Sequence, residues 1–334
     1  MNKAQDFKSF LLLVLFMGAL ATACYKPVAN RTDEFENETP DDPERVEIAN
    51  VDNPGNSSET PVNSETNTMT KPEKEETAPA TGYRGNVNRN IEKHGYSLAN
   101  LVDESNPVEN RLFTEYGAVF LTKALPPPKV MFTSENEVLG FQTKAGAAQV
   151  KIGGIALELQ RSAAQALVNA SNEARSNGAS ITPRDPEDSA RRSYAHTLTL
   201  WNGRFAKACD HWKAKGKLTS EQINNLKSLP IKQQVAEVLK LEARGIYFST
   251  NFDKSVLYSV AAPGTSQHLS MLAFDATEFG NKTVRKIMAK HGWFRTVQSD
   301  EPHFTYLGYS EKDLPSLGLK KVDVGKGEFW IPDV

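Results

Sequence analysis

Apolar residues return every three or four places at Leu159, Ala163, Leu167, Ala170 and Ala174, and Gly178 follows. That spacing predicts a helix with one buried stripe and a glycine stop. A second helix is expected from Asp188 or Ser189 towards Trp201. Thr219 with Gln222 reads as a capping box that opens a third. Two more are expected over 231–243, ended by Gly245, and over 281–291, where Val284, Ile287, Met288 and His291 share one face. Runs of strand character flank the last helix. In the first, Ala273, Asp275 and Thr277 alternate with Phe274 and Ala276; the others are 294–297 and the run that carries His303. Ile181-Thr182 reads as a short strand. The lead-in to Gly154 shows no sustained period, and short strands are expected at 119–121 and 130–132, parted by Pro126-Pro127-Pro128. Helices followed by hairpin-like strands give an α+β class.

The pattern changes at the N-terminus. Lys3 and Lys8 flank a polar start, an apolar run fills 10–20, and Ala21-Thr22-Ala23 precedes Cys24. A charged start, an apolar middle and small residues before a cut mark a signal peptide over 1–23. The apolar run is too short for a membrane span, which needs about 20 residues. Small residues directly before a cysteine resemble a bacterial lipobox, which implies cleavage before Cys24 and lipidation of its thiol. The alternative is an ordinary secretory signal with an incidental cysteine. Tyr25, where an Asp would hold a lipoprotein at the inner membrane, points to the periplasmic side of the outer membrane in a cell that has two. Over 24–91 Asn, Glu, Asp, Thr, Pro and Ser dominate, so a disordered, lipid-anchored tether is expected there and a folded domain over 92–334. The chain has 2 Cys; with Cys24 lipidated, Cys209 stands alone and reads as a small buried hydrophobe. A net charge of −2 and the lack of a basic patch interleaved with aromatics give no reason to expect nucleic acid as a partner.

Candidate chemistry gathers in two apolar runs. His268 and Asp275 stand 275 − 268 = 7 residues apart, and His303 lies just before Phe304-Thr305-Tyr306. A carboxylate among Ala, Phe and Leu is costly to bury unless it is paired or metal-bound. Imidazole and carboxylate suit a borderline metal such as zinc, and three protein ligands leave a fourth position for water. The spacing is not the one-turn pair of His-Glu-x-x-His, so a loop and a strand must build the site. Pro263-Gly264-Thr265-Ser266 reads as the turn that delivers His268. His94, His196, His211 and His291 lack a partner at ligand spacing and read as packing or capping residues. Ser266 lacks the Gly-x-Ser-x-Gly setting of a serine hydrolase.

Pro263-Gly264-Thr265-Ser266-Gln267-His268, Ala273-Phe274-Asp275, Trp293 and Pro302-His303-Phe304-Thr305-Tyr306 together resemble the zinc D-Ala-D-Ala carboxypeptidases and dipeptidases. This is the VanY-like family, whose metal-site scaffold is shared with the Hedgehog signalling domain. The resemblance spans roughly 156–308. It implies a small antiparallel sheet with helices packed on it, and Zn2+ held by His268, Asp275 and His303. It also implies hydrolysis of peptidoglycan stem peptides in the cell envelope, with removal of the terminal D-Ala as the leading reaction. A carboxylate must move the water's proton. The family's place for it, three before the second His, is Asp300 here; Glu301 sits two before and shares the face of His303 if the run is a regular strand, so both stay candidates. Arg192, directly before Ser193-Tyr194, matches the family's Arg, which implies a hold on the oxyanion or on the terminal carboxylate. Ser266 would touch substrate or orient the turn. Two other readings remain: an endopeptidase that cuts another stem-peptide bond, and a non-catalytic zinc-containing binder of cell-wall peptides.

Overall fold

The computed structural model describes residues 82–186 and 188–334. The expected signal peptide, Cys24 and nearly all of the tether lie outside the described residues. The end of the tether is not tether. Residues Tyr83–Glu92 form helix α1, with Tyr83, Val87 and Ile91 buried. These three recur every four places, so the helical stripe begins before the expected boundary at 92.

Helices α2 (Leu98–Leu101), α3 (Pro107–Tyr116) and α4 (Glu135–Ala145) follow, where irregular lead-in was expected. The Asn106 side chain caps α3 by accepting from the Val108 and Glu109 amides, and Pro107 fits the first turn. Residues 119–121, expected as a strand, belong to the 3-10 turn Gly117–Leu121, and 130–132 form no strand. All five residues of that turn are buried, and a run buried on every side carries no period that tells strand from helix. The antiparallel hairpin of β1 (Ala147–Ile152) and β2 (Ile155–Gln160) comes next, turned by Gly153 and Gly154, both at positive φ.

Helix α5 (Arg161–Ser176) starts after Leu159, which lies on β2. Helix α6 (Tyr194–Ala214) begins later than expected and runs further; its cap is Ser193, whose hydroxyl accepts from the His196 amide. The later start has a physical cause. Arg184 and Ser189 pair instead with the strand that carries Asp275: the Asp275 amide donates to Ser189 O at 2.9 Å, and Asp275 O accepts from the Arg184 amide at 2.9 Å. Helix α7 (Ser220–Ser228) opens on the expected Thr219–Gln222 capping box, and α8 (Ile231–Glu242) follows. Ile181-Thr182 forms no strand, although the neighbouring Pro183 makes an isolated bridge to Ala276.

Strands β3 (Ala273–Asp275), β4 (Trp293–Phe294) and β5 (His303–Tyr306) form an antiparallel sheet in the order β3-β5-β4, with helix α9 (Lys282–Lys290) between β3 and β4 in sequence. Every residue of these three strands is buried. Trp293 packs between Phe274, at 6.4 Å, and Tyr306, at 5.3 Å between ring centres. The C-terminal hairpin of β6 (Leu319–Asp323) and β7 (Glu328–Pro332) completes the described α+β fold.

Candidate metal centre

Register brings two of the three candidate ligands together. In the β3–β5 pairing Asp275 stands directly opposite His303, so both side chains leave the same face of the sheet. The third arrives on the expected turn. Gly264 has φ +82, and a Cβ there would lie 1.9 Å from Phe132 O, so only glycine fits. The chain then makes one 3-10 turn, Gln267–Ser270, which carries His268. Met271 closes it at φ 55, a left-handed conformation unusual outside glycine, and the chain passes into β3.

His268, Asp275 and His303 are 1%, 6% and 4% exposed. Their inward atoms form a near-equilateral triangle. His268 Nε2 lies 3.3 Å from Asp275 Oδ1, His303 Nδ1 lies 3.2 Å from the same oxygen, and the two ring nitrogens are 3.2 Å apart. Four ligands set tetrahedrally at zinc's bond lengths are about 3.3 Å apart. The triangle therefore has the size of one face of such a shell.

The outer atoms fix the protons. His268 Nδ1 lies 2.7 Å from Ala190 O, which can only accept, so Nδ1 donates and Nε2 turns a lone pair inward. Gln267 Nε2 donates to Tyr116 O at 2.8 Å, which fixes that amide's orientation. Gln267 Oε1 then accepts from His303 Nε2 at 2.9 Å and from the Thr305 hydroxyl, leaving His303 Nδ1 as a second inward lone pair. Burial lowers His268 to about 4, so the ring is neutral near pH 7. Burial works against the Asp275 anion, but attraction to His268 and His303 in their protonated forms outweighs it and holds the carboxyl well below its usual range. Three lone pairs thus converge in a buried space with no proton to share, an arrangement that a cation would satisfy. Among the described residues, these three form the group able to hold a metal ion.

Arg192 flanks the triangle on the Asp275 side. Its Nη2 donates to Asp275 Oδ2 at 2.7 Å and its Nε to Asp188 O at 2.7 Å. In front of the triangle opens a cleft of about 200 Å³, lined among others by Arg192, Ser266, Tyr116, Asp300 and the two histidines. Asp300 reaches this cleft and is exposed through its mouth. Surrounding protein nevertheless raises its carboxyl above the usual range; His303 counters this, Asp275 adds to it, and Arg192 and Arg184 counter it again. Glu301 does not line the cleft and pairs with Lys326 at 2.7 Å. Pro302 separates it from β5, so strand alternation does not extend back to Glu301.

The other histidines lie elsewhere. His291 pairs with Glu173 at 2.8 Å, His196 with Asp188 at 3.4 Å, and His211 stacks on Phe252 with ring centres 4.0 Å apart. Cys209 is buried, and burial pushes its thiol up to about 11. All three converging side chains stand out in the sequence, whereas Gln267 and the Ala190 carbonyl do not. Gln267 sits inside the quoted Ser266-Gln267-His268 run; the partners that define it, Tyr116, His303 and Thr305, are remote in sequence.

No protein-family model matches the sequence. No curated protein matches it either. Among solved structures, the chain is similar to a point mutant of the vancomycin-resistance D,D-pentapeptidase VanY, from the VanB-type resistance cassette, in complex with Zn(II). That likeness has 19% identity and a TM-score of 0.28, and covers 49% of this chain and 79% of that one. The chain is also similar to VanYB in complex with D-alanine-D-alanine, at 19% identity and a TM-score of 0.29, over 49% of this chain and 77% of that one. At that distance, a functional reading of this chain rests on the geometry of its own site.

Proposed function

We propose that the protein is a zinc-dependent peptidase of the cell envelope that removes the terminal D-alanine from peptidoglycan stem peptides. The observation that carries this is the convergence of the inward lone pairs of His268, Asp275 and His303 at 3.2–3.3 Å beside an open cleft. These three residues would hold Zn2+. When bound, the ion lowers the pKa of a water molecule and polarises the scissile carbonyl.

The chain's own groups supply the rest. Asp300 accepts the water's proton and returns it to the leaving amine, and its raised carboxyl suits both halves of that task. Glu301 serves the surface through Lys326. Arg192 orients Asp275, while its place in the cleft lining leaves it within reach of developing charge on the substrate. Ser266 opens the turn that presents His268 and lines the cleft.

Purified protein incubated with muropeptides should release D-alanine with zinc and stop with chelator; no metal-dependent cleavage of any stem peptide would remove the proposal. Asp300→Asn should lower kcat by about 10²- to 10⁴-fold, the range expected for a lost general acid–base, whereas Glu301→Gln should stay near wild type. Equal losses in the two variants would overturn the assignment. We further propose attachment to the envelope through a lipid on Cys24. Metabolic labelling with an alkyne fatty acid should then mark the wild type and not Cys24→Ser.

A further inference from the structure

Two guanidinium groups line the cleft in front of the metal triad, and their circumstances differ. Arg192 is committed to Asp275 and to the Asp188 carbonyl. Arg204, on α6, is half-buried and has neither a hydrogen-bond nor an ion-pair partner among the described residues. Its Nε is closed off from water. Asp300 is the acidic residue in the cleft lining, but the arginines that act on it are Arg192 and Arg184. A cation held partly out of water without an anion is unfavourable, and a charged hydrogen-bond partner relieves that.

The surroundings limit what that partner is. Leu257, Val260, Ala261 and Val297 give the cleft apolar walls of modest size. Leu200 and Tyr258, 41% and 46% exposed, also line it. Large apolar side chains left in water at a cleft are surface that a bound ligand would cover. An unpaired cation beside apolar walls, in one recess with the triad, matches a peptide residue that carries a free carboxylate.

We propose that Arg204 is the carboxylate anchor of this cleft, so that a bound peptide must present a free carboxylate there. The inference rests on the peptidase reading for the identity of the ligand, not for the presence of the anion site. A stem peptide offers that chemistry at its C-terminal D-Ala and at the α-carboxylate of its D-Glu.

The test uses the full chain, incubated with zinc, and three forms of L-Ala-γ-D-Glu-L-Lys-D-Ala-D-Ala: the free acid, the C-terminal amide and the D-Glu α-amide. Calorimetric affinity and cleavage rate are both read for wild type, Arg204→Gln and Arg204→Lys. Wild type should bind the free acid about 10- to 100-fold more tightly than one of the amides, the range for a lost charge-assisted bond. Discrimination against the terminal amide assigns the chain end, and against the α-amide the internal carboxylate. R204Q should bind the acid as weakly as wild type binds that amide and show no preference, and R204K should recover part of it. Equal wild-type affinity for all three peptides, binding of none, or a preference retained in R204Q overturns the proposal. If R204Q does not fold, the wild-type acid-to-amide ratio and R204K decide it. A preference that depends on Arg204 without any cleavage would keep this anchor and remove the peptidase reading. Cleavage indifferent to Arg204 would do the reverse.

Discussion

Each side chain of the triad is held by a second bond on the far side from the others. Ala190 O holds His268, Gln267 holds His303, and Arg192 holds Asp275. Such outer partners set tautomer and orientation, and their loss costs about 10- to 100-fold in metal affinity. Gln267→Leu should therefore weaken zinc binding by about that factor in competition with a chelating dye, although it touches no metal. Protons act on the same groups. Burial places His268 at about 4 in the folded chain, below its ordinary 6.5. Between those values the unfolded chain binds a proton that the folded chain refuses, so the metal-free protein should lose stability as pH falls from 6.5 towards 4. Asp275, depressed by its imidazole neighbours, extends that loss as pH falls through and below the ordinary carboxylate range. Urea midpoints of metal-free protein measured from pH 7.5 down to 4.5 check this, and a flat profile would contradict it. At this scale the sequence was legible where chemistry belongs to residue type. His268, Asp275 and His303 stand out by what they are, whereas Gln267 becomes informative only beside partners from other segments.

Elements were legible where the chain carries its own punctuation. The turn before His268 announces itself through Pro263-Gly264, and α7 through its capping box. Gly264→Ala should lower the melting temperature and the zinc affinity together, since its Cβ would meet Phe132 O at 1.9 Å from a positive φ. Gly140→Ala is the matched control: it sits within α4 with nothing within 4 Å, and should leave zinc binding unchanged with a gain of up to about 1 kcal/mol in stability. The hairpin of β1 and β2 was missed although Gly153-Gly154 is a hairpin signal. β1 does alternate, with Gln149 and Lys151 exposed and Ile152 buried, but over a run of six residues that ends directly in the turn. The later start of α6 has a tertiary reason: Arg184 and Ser189 pair with the free edge of β3, a competition that no local propensity reveals.

For the whole molecule, composition puts the start of the folded domain at 92, whereas helix α1 already begins at Tyr83. Asn90 Nδ2 donates to the Phe120 and Thr122 carbonyls at 2.9 and 2.8 Å, and α1 buries Tyr83, Val87 and Ile91 beneath a polar face rich in Asn and Arg. A chain that starts at Gly82 should melt like the full protein. One that starts at Lys93 should be several kcal/mol less stable, from apolar burial and paired carbonyls lost together, in denaturant titrations. Equal stability would return α1 to the tether. The fold also sets which ion the triangle would accept. Its corners come from the 3-10 turn, β3 and β5, and each is pinned from behind by a different segment, so the edges of 3.2–3.3 Å cannot spread freely. Calcium, with bonds near 2.4 Å, would need a tetrahedral edge of about 3.9 Å and more oxygen ligands than this site offers. The stiffness that orients the ligands thus doubles as a size filter: millimolar calcium should leave micromolar zinc in place.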